Sequence, residues 1–182
     1  MQFINVCGLR NSPPEHWQSL WEQRFPTLFR RVEQQNWTTP DNATWTKALA
    51  DFLGQINQEE EVVLIGHSVG CATIVNWWRD FHNFPVKAVL LVAPSDVESL
   101  AYPSYITGFN PLHLAPLPFF SVVVASSDDH VVSVERAQFF AQQWGSSFRL
   151  IESAGHLEAK SGYGPWPEGV KLLSQISGTD LA

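Results

Sequence analysis

The chain has 182 residues, enough for one domain that buries roughly 70% of its unfolded surface without disulfides or a structural metal. Its 45% hydrophobic and 16% charged content belongs to a globular protein, not a disordered one. A net charge of −7 with a pI near 5.2 opposes the positive field that nucleic acid or an anionic lipid surface requires, so neither is an expected partner.

The first apolar run, residues 3–7, alternates like a strand, and what precedes it has neither the basic nor the apolar region of an export signal. A cytoplasmic location is expected. Ser12-Pro13-Pro14-Glu15 then reads as a capping box with proline in the first helical turn, and Trp17, Leu20, Trp21 and Phe25 form the apolar stripe of that helix. A second strand is predicted at 29–33, and a second helix from near Asp41 through Trp45, Leu49 and Leu53. The runs at 62–65 and 86–92 are nearly continuous in apolar residues, as parallel strands covered on both faces must be. A third helix starts just after Ser68.

Residues 94–118 are proline-rich and show neither period, which predicts one long irregular connection placed as a minimal lid. A fifth strand at 119–125, a helix carrying Val134, Ala137, Phe140, Ala141 and Trp144, a sixth strand at 148–151 and a last helix after Pro167 complete the chain. Strands alternating with helices predict a single α/β domain over 1–182: a doubly wound, mostly parallel sheet of about six strands in the order 2-1-3-4-5-6. The longest apolar stretch, 114–125, is interrupted by Pro116 and Pro118 and is far short of the roughly 20 residues that span a bilayer. Cys7 and Cys71 stand in no zinc-binding spacing and are expected to be reduced and buried.

Gly66-His67-Ser68-Val69-Gly70 lies directly between a predicted strand and a predicted helix, the setting of a nucleophile elbow. A serine there takes a strained backbone, and glycines two residues away remove side chains that would collide with it. An elbow needs an acid after a later strand and a histidine after a still later one. The fifth strand runs into Asp128 and Asp129, and the sixth runs into His156. The other histidines fail on position: His16 and His82 fall on helical stretches, His113 in the proline-rich connection, and His130 beside the acid pair. His67, inside the elbow, is expected to face the substrate. The chemistry is attack by the Ser68 hydroxyl, with His156 as general base and one aspartate holding the imidazole. The oxyanion donors expected are the backbone N–H of Val69, at a helix start, and that of Leu9 after the first strand, in preference to Gly8. The ends of strands 1 and 3 meet at the topological switch point, which brings the two together.

Residues 8–21 (GLRNSPPEHWQSLW), Gly66 to Cys71, Ala125 to Asp129, and Gly155-His156 followed by SGYGPWP at 161–167 resemble the small serine hydrolases grouped with YdeN and retinoblastoma-binding protein 9. The match spans nearly the whole chain. The resemblance implies a pared-down α/β-hydrolase without a large cap domain. It implies Asp129, the second of the acidic pair, as the orienting acid, and Trp166 as a wall of the acyl pocket. Two positions depart from the family pattern: His130 stands where a proline often follows the aspartate, and Cys7 where a proline often precedes Gly8. The sequence thus points to a hydrolase of small ester or amide substrates, acting through an acyl-enzyme with no metal or organic cofactor. The competing reading is a non-catalytic module that keeps the fold and binds a partner protein through its surface.

Overall fold

The computed structural model describes residues 1–181. In chain order its elements are β1 (Gln2–Val6), α1 (Trp17–Arg24), β2 (Phe29–Arg31), α2 (Asn42–Leu53), β3 (Val62–His67), α3 (Val69–Asp80), β4 (Ala88–Val92), β5 (Phe120–Ser126), α4 (Val134–Trp144), β6 (Ser147–Ile151) and α5 (Pro167–Ser177). All six strands pair in parallel, in the order β2-β1-β3-β4-β5-β6. That is the order the alternating pattern predicts.

The alternation of side chains along each strand sorts the core into two layers. On β3, Val62 and Leu64 join one apolar cluster while Val63 and Ile65 join the other, and on β4 Val89 and Leu91 separate from Ala88, Leu90 and Val92 in the same way. The first layer is closed by α2, α3 and α4 through Trp45, Leu49, Ile74, Trp77, Phe140 and Trp144. The second is closed by α1 and α5 through Trp17, Trp21, Val170 and Leu173. Cys7 and Cys71 are free thiols within this interior, and burial pushes Cys7 up to about 12. Both are therefore unreactive packing groups.

Several boundaries differ from expectation. Helix α1 does not begin at Ser12. Two successive prolines favour an extended backbone at the first of them, so the helix starts at Trp17, capped by His16, whose Nδ1 accepts from the Gln18 N–H at 3.2 Å. The Ser12 hydroxyl instead donates to Gln18 Oε1 at 2.7 Å. Strand β2 ends two residues short of its predicted length, at Arg31, whose guanidinium turns to Glu22, Asn11 and Ser19. Helix α2 begins where expected, next to Asp41, which caps it by accepting from the Thr44 N–H at 3.1 Å. Residues 94–118 contain no helix or strand, apart from one isolated bridge between Thr107 and Asp41. Among the described residues no helix is long and apolar enough to cross a membrane.

Candidate active site

Ser68 is the hinge between β3 and α3, at φ 56° and ψ −127°. Only a tight turn at a strand end holds a non-glycine residue in that region, and the elbow's glycines make the turn fit. A side chain on Gly66 would meet Ile74 Cδ1 at 2.9 Å and the Cys71 backbone at 3.0 Å. One on Gly70 would run into the Val6 carbonyl oxygen, so α3 seats its first turn directly on the end of β1. The same close approach sets Gly8 against Ser68, where an added Cβ would lie 2.9 Å from the serine's own.

His156 follows β6 in a turn held from three sides. The Trp17 indole donates to the Leu157 carbonyl at 2.9 Å, Asp128 accepts from the Gly155 N–H at 2.7 Å, and Ser126 accepts from the Ala154 N–H at 2.9 Å. The His67 ring lies beneath, with Nε2 at 2.9 Å from the His156 carbonyl oxygen. A carbonyl only accepts, so His67 carries its proton on Nε2.

In this frame His156 Nδ1 meets the two Asp129 oxygens at 3.0 and 2.9 Å, and Nε2 lies 3.0 Å from the Ser68 hydroxyl. The Asp129 carboxylate is fully buried and takes a further bond from the Val131 N–H at 2.8 Å. An acid that only accepts leaves the proton on Nδ1, and Nε2 then presents a lone pair to Ser68. Asp128 turns away from the imidazole. Its carboxylate is exposed and is held below the usual range by a hydrogen bond from Ser126, with the Gly155 N–H adding to it. Two adjacent acids thus take separate tasks, one facing the ring and one tying the turn that carries it.

The cavity over Ser68 has a volume of about 680 Å³ and is walled by Leu9, His67, Tyr102, Ile106 and Val131 among others. Leu9 and Val69 flank the serine, and among the described residues neither amide N–H is taken by a protein acceptor. Of the 94–118 segment expected as a lid, the first half borders the cavity, through Ser95, Ser99, Tyr102 and Ile106.

Trp166 does not wall this cavity. It packs in the layer under α1 and α5, 4% exposed, stacked on Trp21 at 5.7 Å and edge-on to Trp17 at 5.3 Å. Its place is set by the left-handed turn before α5 (φ 42°), which folds the ring down over Gly169 where any larger residue would collide with it. Three further residues stand at the site: Ser95, which the sequence does not single out, and His130 and His16, which their positions in the sequence argue against. Ser95 Oγ is 3.0 Å from Ser68 Oγ, His130 lines the cavity with its ring 5.8 Å from His156, and His16 lines it from the cap of α1. The signal for Ser95 was its position just past β4, the strand next to the elbow.

His16 and His67 are buried and neutral. Burial pushes His16 down to about 3, with Arg31 and His156 adding to it, and burial holds His67 well below the histidine range, with His16 and His156 adding. The unfolded chain protonates both near pH 6.5 whereas the native state does not, so the unfolded state binds more protons and stability falls as pH drops below about 6.5. Each histidine contributes a slope of up to about 1.4 kcal/mol per pH unit in that window. Urea unfolding at pH 7, 6 and 5 should show it, and His16→Asn, which retains a capping acceptor, should remove about one proton's share. An unchanged slope in that variant would contradict the assignment.

A six-stranded parallel sheet in this order, with a strained serine between its third strand and the following helix, defines an α/β-hydrolase. The chain belongs to the serine hydrolase family, whose model matches residues 3–175. Among solved structures, a YdeN-like hydrolase from Pectobacterium atrosepticum is 34% identical with a TM-score of 0.84, over 97% of this chain and 90% of that one. The ydeN gene product of B. subtilis is 19% identical with a TM-score of 0.78, over 96% and 97%. Carboxylesterase CesB from Bacillus subtilis shares the fold at 15% identity and a TM-score of 0.63, over 97% and 84%. A comparison with curated proteins returns no match.

Proposed function

We propose that this serine hydrolase cleaves small ester or amide substrates through an acyl-enzyme on Ser68. The observation that carries the reading is the continuous run from Ser68 Oγ through His156 to the buried Asp129, with each step at 2.9–3.0 Å. His156 takes the Ser68 proton as the oxygen attacks the acyl carbon, and returns it to the leaving group. Asp129 keeps the ring in the tautomer that can accept that proton and stabilises the imidazolium that results. The Val69 and Leu9 amides receive the charge on the tetrahedral oxygen, the first helped by the dipole of α3. A cavity of about 680 Å³ suits a small acyl compound. His67 serves substrate binding as part of its wall. Buried free cysteines fit a reducing compartment, and we place the activity in the cytoplasm.

Turnover of short-chain nitrophenyl esters tests the proposal through its pH dependence. Since the base must be neutral, kcat/KM should fall on acidification with the slope of a single proton. His16, neutral down to about pH 3, and His67, held lower than an ordinary histidine, should add nothing to that limb. A profile flat from pH 5 to 8 would remove the histidine base.

A further inference from the structure

Ser68 has a second hydroxyl neighbour besides the imidazole. Ser95 Oγ lies 3.0 Å from Ser68 Oγ, 2% of Ser95 is exposed, and it borders the cavity where substrate must lie. Its position is built. Ala93 takes a left-handed turn (φ 48°) at the end of β4 and sends the chain back toward the elbow. The Ser95 N–H then reaches the Ser68 carbonyl at 3.4 Å. The next residue, Asp96, is clamped by Arg136 of α4 at 2.8 and 2.9 Å, and Glu98 accepts from the same guanidinium at 3.0 Å. Two acids just past Ser95, held by one arginine, leave it little room to drift.

The proton count then gives the bond a direction. Ser68 has one proton, and the arrangement of His156 and Asp129 requires it to point at His156 Nε2. Ser95 is therefore the donor, and Ser68 Oγ accepts from it through a lone pair. We propose that Ser95 is a further catalytic residue, whose hydroxyl holds the attacking oxygen toward His156 and stabilises the negative charge that gathers on it. This inference rests on the serine hydrolase mechanism proposed above.

In acylation the Ser68 proton passes to His156 Nε2 while the bond from Oγ to the acyl carbon forms, and Ser95 keeps its own proton throughout. The oxygen becomes more negative before it is shared with carbon, so the Ser95 bond is stronger in the transition state than in the resting enzyme. That difference is what accelerates the step. In deacylation His156 takes a proton from the water that adds to the acyl carbon, the same carbon–oxygen bond breaks to release the acid, and Oγ leaves as the charged partner, again facing the Ser95 donor before His156 passes that proton to it. Both half-reactions draw on one bond.

The test is Ser95→Ala, with steady-state kinetics on p-nitrophenyl acetate and the rate of fluorophosphonate labelling of Ser68. Loss of a hydrogen bond to a charged oxygen should lower both kcat and the labelling rate by about tenfold or more, with KM changed by no more than about twofold. Thermal melting checks that the smaller side chain leaves the fold intact. Ser95→Cys, close in shape with a weak donor, should fall between the two and keeps the question open to test if the alanine variant fails to fold. A variant that labels and turns over as fast as the parent protein, or faster, would overturn the proposal. If the parent protein itself took no label on Ser68, the hydrolase mechanism would fail first, and this inference with it.

Discussion

Ser68→Ala is expected to stay folded while losing ester turnover by at least about 10³-fold, as removal of an activated nucleophile does. The fold should tolerate it because the Ser68 side chain bonds only through its hydroxyl, toward His156 and Ser95, while its backbone bonds are kept by alanine. The strain at Ser68 offers an independent readout. Alanine inherits the backbone at φ 56°, whereas glycine is at ease there, so Ser68→Gly should be equally inactive yet more stable than Ser68→Ala by about 1 kcal/mol. Urea unfolding of the two variants measures that difference. An alanine variant retaining most of its turnover would mean that Ser68 is not the nucleophile.

The second large effect is expected at Asp129, where replacement by asparagine should lower kcat by up to about 10⁴-fold without unfolding the protein. The asparagine carbonyl can still accept from the Val131 N–H, which turns its amide NH₂ toward His156 Nδ1. The ring must then accept at Nδ1 and carry its proton on Nε2, the wrong tautomer for taking a proton from Ser68. Asp128→Asn keeps an acceptor for the Gly155 N–H and for Ser126, so its turnover should stay within a few-fold of the parent. Side-by-side kinetics and melting of the two variants decide the matter. A large loss at Asp128 with near-normal activity at Asp129 would reverse the two roles.

How much of this was legible in the sequence follows from where each constraint acts. The sheet order and the elbow were legible because they rest on local patterns: continuous apolar runs at β3 and β4, and glycines wherever backbone meets backbone. The pairing of His156 with an acid after β5 was legible because the order of strand ends follows the order of the chain. Residue type could not separate Asp128 from Asp129, since two adjacent acids in one turn have the same composition and only the backbone decides which faces the ring. Trp166 was misread for a related reason. A tryptophan near a site histidine carries the same signal whether it lines a pocket or fills a core, and here stacking with Trp17 and Trp21 draws it into the layer under α1 and α5. Ser95 was not legible, and His16 was set aside as helical, because each reaches the site through an irregular turn. The turn at Ala93 and the double-proline start of α1 have no period from which a side chain's direction could be derived.

The most direct test is fluorophosphonate labelling of the intact protein at neutral pH, followed by mass mapping of the modified peptide. A single adduct on Ser68, absent from Ser68→Ala and slowed in Asp129→Asn, is the expected result. Ester hydrolysis that proceeds with no adduct on Ser68, or with the adduct on another residue, would contradict the account.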